Sequence, residues 1–170
     1  MNKQELLARR DYFNMVHGVT VRAIGAFTDE ELDFRPRAGM RTPRELIFHI
    51  YAQEKLLAEA AQQGRFTVEA ASHSNPEDEP GASALKALGT VSEARAYANA
   101  CHQAAENIFS TMPEDKINLP VESPFGTYPA WQYFNFAYDE HWHHRGQLYS
   151  YLRLLGKDPP MLYDYAAAES

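Results

Sequence analysis

The sequence predicts an all-α protein, a four-helix bundle with up-down helices and one long crossover connection. Three observations support this fold class. Four long segments repeat apolar residues every three or four positions, the period of an amphipathic helix. Long stretches rich in Pro, Gly and Ser interrupt them. No internal repeat and no long heptad array is visible. Four helices joined by one or two long connections form a bundle.

The length of the chain limits the number of domains, and its charge limits the kinds of partner that it can bind. The 170 residues suit one domain, 1–170, with a non-helical tail at about 157–170. The formal charge of −7 leaves no basic face for nucleic acid or for an anionic membrane surface, so we expect neither partner. The polar N-terminus lacks a secretory signal, no apolar run is long enough to span a membrane, and Cys101 is the only cysteine. We therefore expect a cytoplasmic protein.

The first two helices are separated by a link with helix-breaking Arg-Pro and Ala-Gly steps. The first helix is predicted over roughly 3–27. The second is predicted to begin at Pro43, because Thr42 suits an N-cap and Glu45 completes a capping box. It is predicted to end at Gly64.

The second half of the chain contains two irregular connections. Residues 72–90 are acidic and rich in Pro, Gly and Ser, which predicts a crossover loop with at most one short helical turn near Ala84. The third helix is predicted over about 92–112, and a short hairpin is expected around 117–125. The fourth helix is predicted over 127–156, with a proline in its first turn.

The fourth helix carries a cluster of Glu140, His141, His143 and His144. Residues three or four apart share a helix face, so either Glu140 or His141 can join His144 in binding one ion. When the helix is oriented by its apolar residues, His141 lies within about 20° of the centre of the buried face. His144 lies about 40°, and Glu140 about 80°, to one side of that centre. His143 points to solvent.

A divalent metal would explain polar residues on an inward face, because burying them unpaired costs several kcal/mol. Imidazole and carboxylate suit zinc, nickel or iron, and a catalytic site uses three protein ligands. His49, on the inward stripe of the second helix, is the best third ligand, and His17 is a weaker candidate. The alternative is that these histidines are hydrogen-bonded core residues. Elsewhere we expect Cys101 in the core and His73 and His102 on the surface.

Three residues that follow the cluster have expected roles of their own. Arg145 is expected to pair with an acidic residue such as Asp139 or Glu54. Gly146 is expected to allow close packing, or the close approach of a substrate. Gln147 is expected to orient a metal ligand through a hydrogen bond.

The string "HHRGQLYSYLRLLG" resembles the fourth-helix signature of the DinB/YfiT-like family of metal-dependent enzymes. The stretch "LDFRPRAGMRTPRELIFHIYAQEK" is similar to the second-helix region of that family, and the resemblance covers roughly residues 3–156. It implies a bundle with a long crossover, a homodimer, and a zinc or nickel ion. One histidine of the second helix and two of the fourth hold that ion. Some members attach a low-molecular-weight thiol such as bacillithiol to an electrophile, and related proteins use mycothiol.

The resemblance places metal ligands at His49 and His144, but the remaining family histidine falls on Glu140. Either Glu140 supplies an oxygen ligand, or His141 takes its place, or the site has lost its metal. A carboxylate is an ordinary ligand for these ions. We favour the set His49, Glu140 and His144, with His141 as the competing third ligand.

The function expected from these residues is that of a metal-dependent transferase or hydrolase acting on a small molecule, with a low-molecular-weight thiol as one candidate. The metal would lower the pKa of a thiol or water. Phe125, Tyr128 and Trp131 are expected to line its pocket or to pack in the core or a dimer interface. The alternative function is a non-catalytic dimeric bundle, a binding or stress protein with a vestigial site. Its interface would then use a tyrosine strip: Tyr149, Tyr151, Tyr163 and Tyr165.

Overall fold

A computed structural model describes residues 1–165 and confirms the predicted all-α bundle. The four long helices are α1 (Lys3–Gly25), α2 (Pro43–Gln63), α5 (Val91–Thr111) and α7 (Ala130–Leu154). The shorter elements are a 3-10 helix (Glu30–Asp33), α3 (Val68–Ser72), α4 (Glu79–Leu85), α6 (Glu114–Ile117), β1 (Pro120–Ser123) and β2 (Gly126–Pro129). None of the helices described has the length and apolarity that a membrane crossing requires.

Capping residues set the ends of the long helices, as the sequence predicted for α2. The Thr42 side chain accepts a hydrogen bond from the Glu45 N–H, and the Glu45 carboxylate accepts one from the Thr42 N–H. Asn2 and Thr90 start α1 and α5 with the same reciprocal pair of hydrogen bonds. Gly64 ends α2 with a φ of 73°, a left-handed conformation that glycine adopts without strain.

The connections differ from the prediction in two places. The fourth helix begins at Ala130 and not at Thr127, because Gly126–Pro129 pairs with Pro120–Ser123 in an antiparallel hairpin. The hairpin itself was expected, but its second strand takes the residues assigned to the first helical turn. The crossover contains two short helices, α3 and α4, where one short turn was predicted.

The long helices run up, down, down and up. Lys3 at the start of α1 donates to the Ser110 carbonyl at the end of α5 over 2.7 Å, so these helices are antiparallel. Arg9 donates to Asn135 over 3.1 Å, which places the first halves of α1 and α7 side by side. Both α1 and α2 pack against α5 and α7, so α1 and α2 are diagonal to each other. Because α2 and α5 run parallel, the chain needs the long crossover to return.

The core consists of two apolar clusters with a polar layer between them. One cluster includes Ile24, Ile50 and Leu152, and the other includes Phe13 and Phe134. Each long helix places polar residues between the two clusters, and all of these residues are buried: His17, Thr20, Glu54, His102 and His141. Since buried polar groups need partners, this layer restricts how the helices can rotate against one another.

The crossover is held against α2 by close backbone packing. Ser74 is buried, and its hydroxyl donates to the Gln53 side chain over 3.0 Å and to the Ala71 carbonyl over 2.8 Å. A Cβ on Gly81 would lie 1.9 Å from the carbonyl oxygen of Asn75. Only glycine therefore lets α4 approach the segment that carries Ser74.

Replacing this glycine will test the packing. We expect Gly81→Ala to lower the free energy of unfolding by about 1–3 kcal/mol, because the backbone at Asn75 must move. The matched control is Gly18→Ala in α1, where a Cβ meets no described atom within 4 Å. That change is expected to raise stability by up to about 1 kcal/mol, since alanine favours a helix interior. Urea unfolding of both variants measures the difference, and equal stabilities would contradict the packing assigned to Gly81.

Candidate metal centre

The structure brings together one histidine of α2 and two residues of α7. His49, Glu140 and His144 each offer one ligand atom, and these atoms all lie within 4.8 Å of one another. The Glu140 Oε2 atom lies 3.2 Å from His144 Nε2 and 3.8 Å from His49 Nε2. Glu140 and His144 are neighbours because they are four residues apart on one helix face. His49 meets them because α2 and α7 pack along their lengths.

The outer ring nitrogens decide which tautomer each histidine adopts. His49 Nδ1 lies 2.7 Å from the Ser74 carbonyl oxygen, so this nitrogen carries the proton and donates it. His144 Nδ1 lies 2.8 Å from the Gln147 side-chain oxygen and donates in the same way. Both Nε2 atoms are then acceptors that face the Glu140 carboxylate. Histidines that bind metals are oriented by hydrogen bonds of this kind.

Glu140 is ionised and lies on the solvent side of the cluster. Hydrogen bonds that His144, and then His49, donate to the carboxylate when their Nε2 atoms carry a proton outweigh the effect of burial and hold the pKa of the carboxyl well below its usual value. The Glu140 side chain is 41% exposed, whereas those of His49 and His144 are 8% and 12% exposed. The two imidazoles therefore form the inner wall of the site, and the carboxylate forms its open edge.

His141, the competing third ligand, points away from this cluster. Its Nε2 lies 2.7 Å from the Thr20 hydroxyl, which itself donates to the Val16 carbonyl, so His141 Nε2–H is the donor. Its Nδ1 faces the Glu54 Oε2 atom at 3.8 Å. Burial lowers the pKa of His141 and keeps the ring neutral. The prediction that His141 lies near the centre of the buried face of α7 was right. That face points into the core, so His141 does not meet His49.

Glu54 and His102 form the centre of the polar layer, so the prediction of His102 as a surface residue was wrong. His102 Nδ1 lies 2.6 Å from Glu54 Oε1, and its Nε2 lies 2.9 Å from the Asn14 amide oxygen. Because an ionised carboxylate can only accept, His102 Nδ1–H donates to Glu54. Burial opposes ionisation of Glu54, but other interactions, led by the hydrogen bond from His102, outweigh it and lower the pKa to about 2.

His17, the weaker ligand candidate, belongs to this layer and not to the metal cluster. It stacks on His102 with ring centroids 3.7 Å apart. The Tyr51 hydroxyl donates to its Nδ1 over 3.0 Å, and its Nε2–H donates to the Asn99 oxygen over 3.0 Å. Burial and the neighbouring His102 lower the pKa of His17 to about 3. A ring with both nitrogens engaged has none left for a metal.

Several other predictions can be compared with the structure. His73 and His143 are exposed and Cys101 is buried, as expected. The pairing predicted for Arg145 was wrong, because within residues 1–165 neither terminal nitrogen has a hydrogen-bond partner. Gly146 is exposed, and a Cβ there would meet no described atom within 4 Å, so the close packing expected for it is absent, and the approach of a substrate stays a prediction.

The aromatic residues expected around the metal lie elsewhere. Phe125 contacts Phe66 at the hairpin, and Tyr128 contacts Phe136. Trp131 precedes His144 by 13 residues, or about 20 Å along α7. The pocket prediction was therefore wrong, and these side chains lie at the far end of the bundle, where Phe125 is largely exposed. A cleft of about 360 Å³ opens at that end, away from the histidines: it is lined by Ala61, Gln62, Gln63, Gly64, Ile108, Thr111, Met112, Pro113, Lys116, Leu119, Pro120 and Val121.

The predicted tyrosine strip is not one surface. Tyr149 and Tyr151 are buried, and the Tyr151 hydroxyl donates to the Arg41 carbonyl over 2.9 Å. Tyr163 is exposed, whereas Tyr165 packs against both apolar clusters. These four residues cannot form the single interface that the sequence suggested.

The sequence analysis did not identify the roles that Ser74 and Glu54 have in the structure. Ser74 acts through its backbone carbonyl, which any residue offers, so no side-chain pattern marks it. Glu54 had a visible signal, because it lies one helical turn beyond Ile50 on the inward stripe of α2. A carboxylate at that position predicts a buried partner.

The fold and the site together define a helix bundle with a histidine–carboxylate group that can hold a metal ion. The sequence model of the DinB superfamily matches residues 12–148, and the chain belongs to that superfamily. A crystal structure of a DinB-like protein from Bacillus subtilis is similar in fold, with a TM-score of 0.70 and 17% sequence identity, over 91% of this chain and 95% of that chain. No curated protein matches the chain significantly.

The buried layer predicts a loss of stability in acid. His17 and Glu54 have folded-state pKa values of about 3 and about 2, below their ordinary values of 6.5 and 4.5. The unfolded chain therefore binds protons more tightly, so acid favours unfolding. The pKa shift of His17 lowers the free energy of unfolding as the pH falls from 6.5 towards 3. The shift of Glu54 lowers it further as the pH falls from 4.5 towards 2. We expect a loss on the order of 2–3 kcal/mol between pH 7 and 4.5 from His17 alone.

Urea unfolding at several pH values between 7 and 4.5, with a metal chelator present, measures this loss of stability. His17→Gln should remove the share that comes from His17, because an amide does not titrate, and should leave the share from His141, whose pKa burial also lowers. His73→Gln is the matched control, since His73 is exposed and its replacement should leave the pH dependence unchanged. Equal pH dependence in the native chain and in His17→Gln would show that His17 does not contribute.

Proposed function

We propose that His49, Glu140 and His144 bind one divalent metal ion, zinc or nickel, and that the chain is a metal-dependent transferase or hydrolase acting on a small molecule. One observation carries the proposal. Two Nε2 acceptors and a carboxylate converge from two helices, while the outer nitrogens of both rings are already hydrogen-bonded. When both rings are neutral, these three groups are all acceptors, so they repel one another unless a cation lies between them.

The donor set fits the proposed ion. Neutral imidazole and carboxylate are common ligands of zinc and nickel, and three protein ligands leave a position for a reactant. When bound, such an ion lowers the pKa of a thiol or water molecule that it contacts. Glu140 and the histidines orient that reactant, and the exposed side of Glu140 gives it a route from solvent. The Ser74 carbonyl and Gln147 keep the two rings in place.

A thiol reactant would have to come from outside the chain. Cys101 is the only cysteine in the sequence and is buried in an apolar cluster. Burial raises the pKa of its thiol, so it is a poor nucleophile. A low-molecular-weight thiol is therefore the co-substrate that we propose for a transferase reaction, as in the thiol-dependent enzymes that the sequence resembles. We also propose a cytoplasmic homodimer, on the same resemblance.

Metal analysis of protein purified without a histidine tag tests the site. The native chain should carry one metal ion per chain, and His49→Ala, Glu140→Ala and His144→Ala should each lower the affinity at least about 10-fold. His143→Ala is the matched control, because His143 is exposed on the same helix and should keep the metal. His141→Ala should also keep the metal, although losing its hydrogen bond to Thr20 will lower stability.

Two results would contradict this proposal. If Glu140→Ala kept its metal and His141→Ala lost it, the assigned ligand set would be wrong. If tag-free native protein bound no metal at micromolar concentration, the non-catalytic alternative would replace the enzyme. Catalysis itself is measured as metal-dependent loss of a small thiol in the presence of an electrophile, compared between the native chain and Glu140→Ala.

A further inference from the structure

A second group of polar side chains lies on the face of α7 that is turned towards α1. Tyr138, Trp142, Arg145 and Tyr149 are spaced by four, three and four residues, so they form one stripe along the helix. Arg145 is 1% exposed. Its guanidinium carbon lies 3.8 Å from the centroid of the Trp142 ring and 5.5 Å from that of Tyr149. The stripe thus holds a buried cation between aromatic faces.

The buried cation of this stripe lacks an acceptor. Within residues 1–165, Arg145 Nη1, Arg145 Nη2, Trp142 Nε1 and the Tyr149 hydroxyl are buried without a well-formed hydrogen bond. Trp142 interacts with the Tyr138 hydroxyl, so the guanidinium and the Tyr149 hydroxyl are the groups left without an acceptor. Buried polar atoms are normally paired, and a buried guanidinium is normally paired with an anion. A cation–π contact compensates for some of the lost hydration, but it engages the face of the guanidinium and leaves its N–H groups unpaired.

We propose that this stripe is a binding site for a small aromatic carboxylate, with Arg145 holding the carboxylate group. The guanidinium presents parallel N–H donors that match the two oxygens of a carboxylate. A single buried cation balances one negative charge, which favours a monoanion over a doubly charged phosphate. The Trp142 and Tyr149 donors complete the polar end of the site.

Asp164 and Tyr165, the last described residues, lie over this site. Tyr165 packs edge-on against Tyr12 of α1, with ring centroids 6.0 Å apart, and the two hydroxyls are 3.3 Å apart. Arg22 donates to the carbonyl of Asp164 and fixes the segment. Because Tyr165 contacts residues around Arg145, its side chain must move before a ligand can enter.

A neighbouring cleft provides space for the aromatic part of the ligand. It has a volume of about 200 Å³ and shares Tyr12 and Tyr138 with the surroundings of Arg145; its lining is Arg9, Tyr12, Phe134, Asn135 and Tyr138. Aromatic walls suit an aromatic ring. This face is separate from the metal cluster, because Glu140 and His144 meet His49 of α2.

Benzoate titration by calorimetry tests the proposal, with His49→Ala as the background so that no metal contributes. We expect Tyr165→Ala to bind benzoate at least 10-fold more tightly than the parent, because the cover is removed. Adding Arg145→Gln to Tyr165→Ala should weaken binding at least 10-fold. Arg153→Gln is the matched control, since Arg153 is exposed on the same helix. The neutral analogue benzamide should not bind.

If Arg145→Gln does not fold, Trp142→Phe replaces it, since this change removes a donor and keeps the ring. It should weaken benzoate binding several-fold. Absence of saturable binding to Tyr165→Ala would overturn the proposal. So would benzoate affinity that is equal with and without the Arg145 or Trp142 substitution. Because every variant lacks His49, none of these results depends on the metal site.

Discussion

The buried carboxylate of Glu54 is the interaction on which the arrangement of the four helices depends. It accepts a hydrogen bond from His102 of α5 and faces His141 of α7, and His141 in turn donates to Thr20 of α1. A buried charge without its partners costs several kcal/mol, so helix rotations that would break the 2.6 Å contact between Glu54 Oε1 and His102 Nδ1 are disfavoured. The apolar clusters on either side of this layer supply most of the burial, and the layer adds directional contacts between the helices.

With that rotation fixed, α7 presents three different faces. His141 points into the bundle, Glu140 and His144 turn towards α2, and Arg145 turns towards α1. Consecutive residues of a helix differ by about 100°, which is why neighbours in the sequence have unrelated roles. The centre of the buried face and the metal cluster are therefore different places. The cluster lies at the seam between α2 and α7, where a side chain can reach solvent on one side.

The sequence predicted those features that local chemistry controls. Thr42, Glu45 and Gly64 marked the ends of α2, because caps act within one helical turn. The position of His102 was misjudged from its residue type, because it lies on the buried face of α5, four residues after Ala98 and three before Ala105. The contact between Gly81 and Asn75 joins backbone atoms brought together by two short helices, and no local pattern encodes it.

The helix directions explain why the metal cluster lies where it does. Parallel α2 and α5 force the chain to return along the bundle, and the returning segment passes the first half of α2. There it places the Ser74 carbonyl against His49, which selects the tautomer that leaves Nε2 free to face Glu140. An up-down-up-down bundle would join these helices by a short turn at their far end and leave His49 without that acceptor. The crossover therefore contributes to the site through its backbone, although it supplies none of the three ligand atoms.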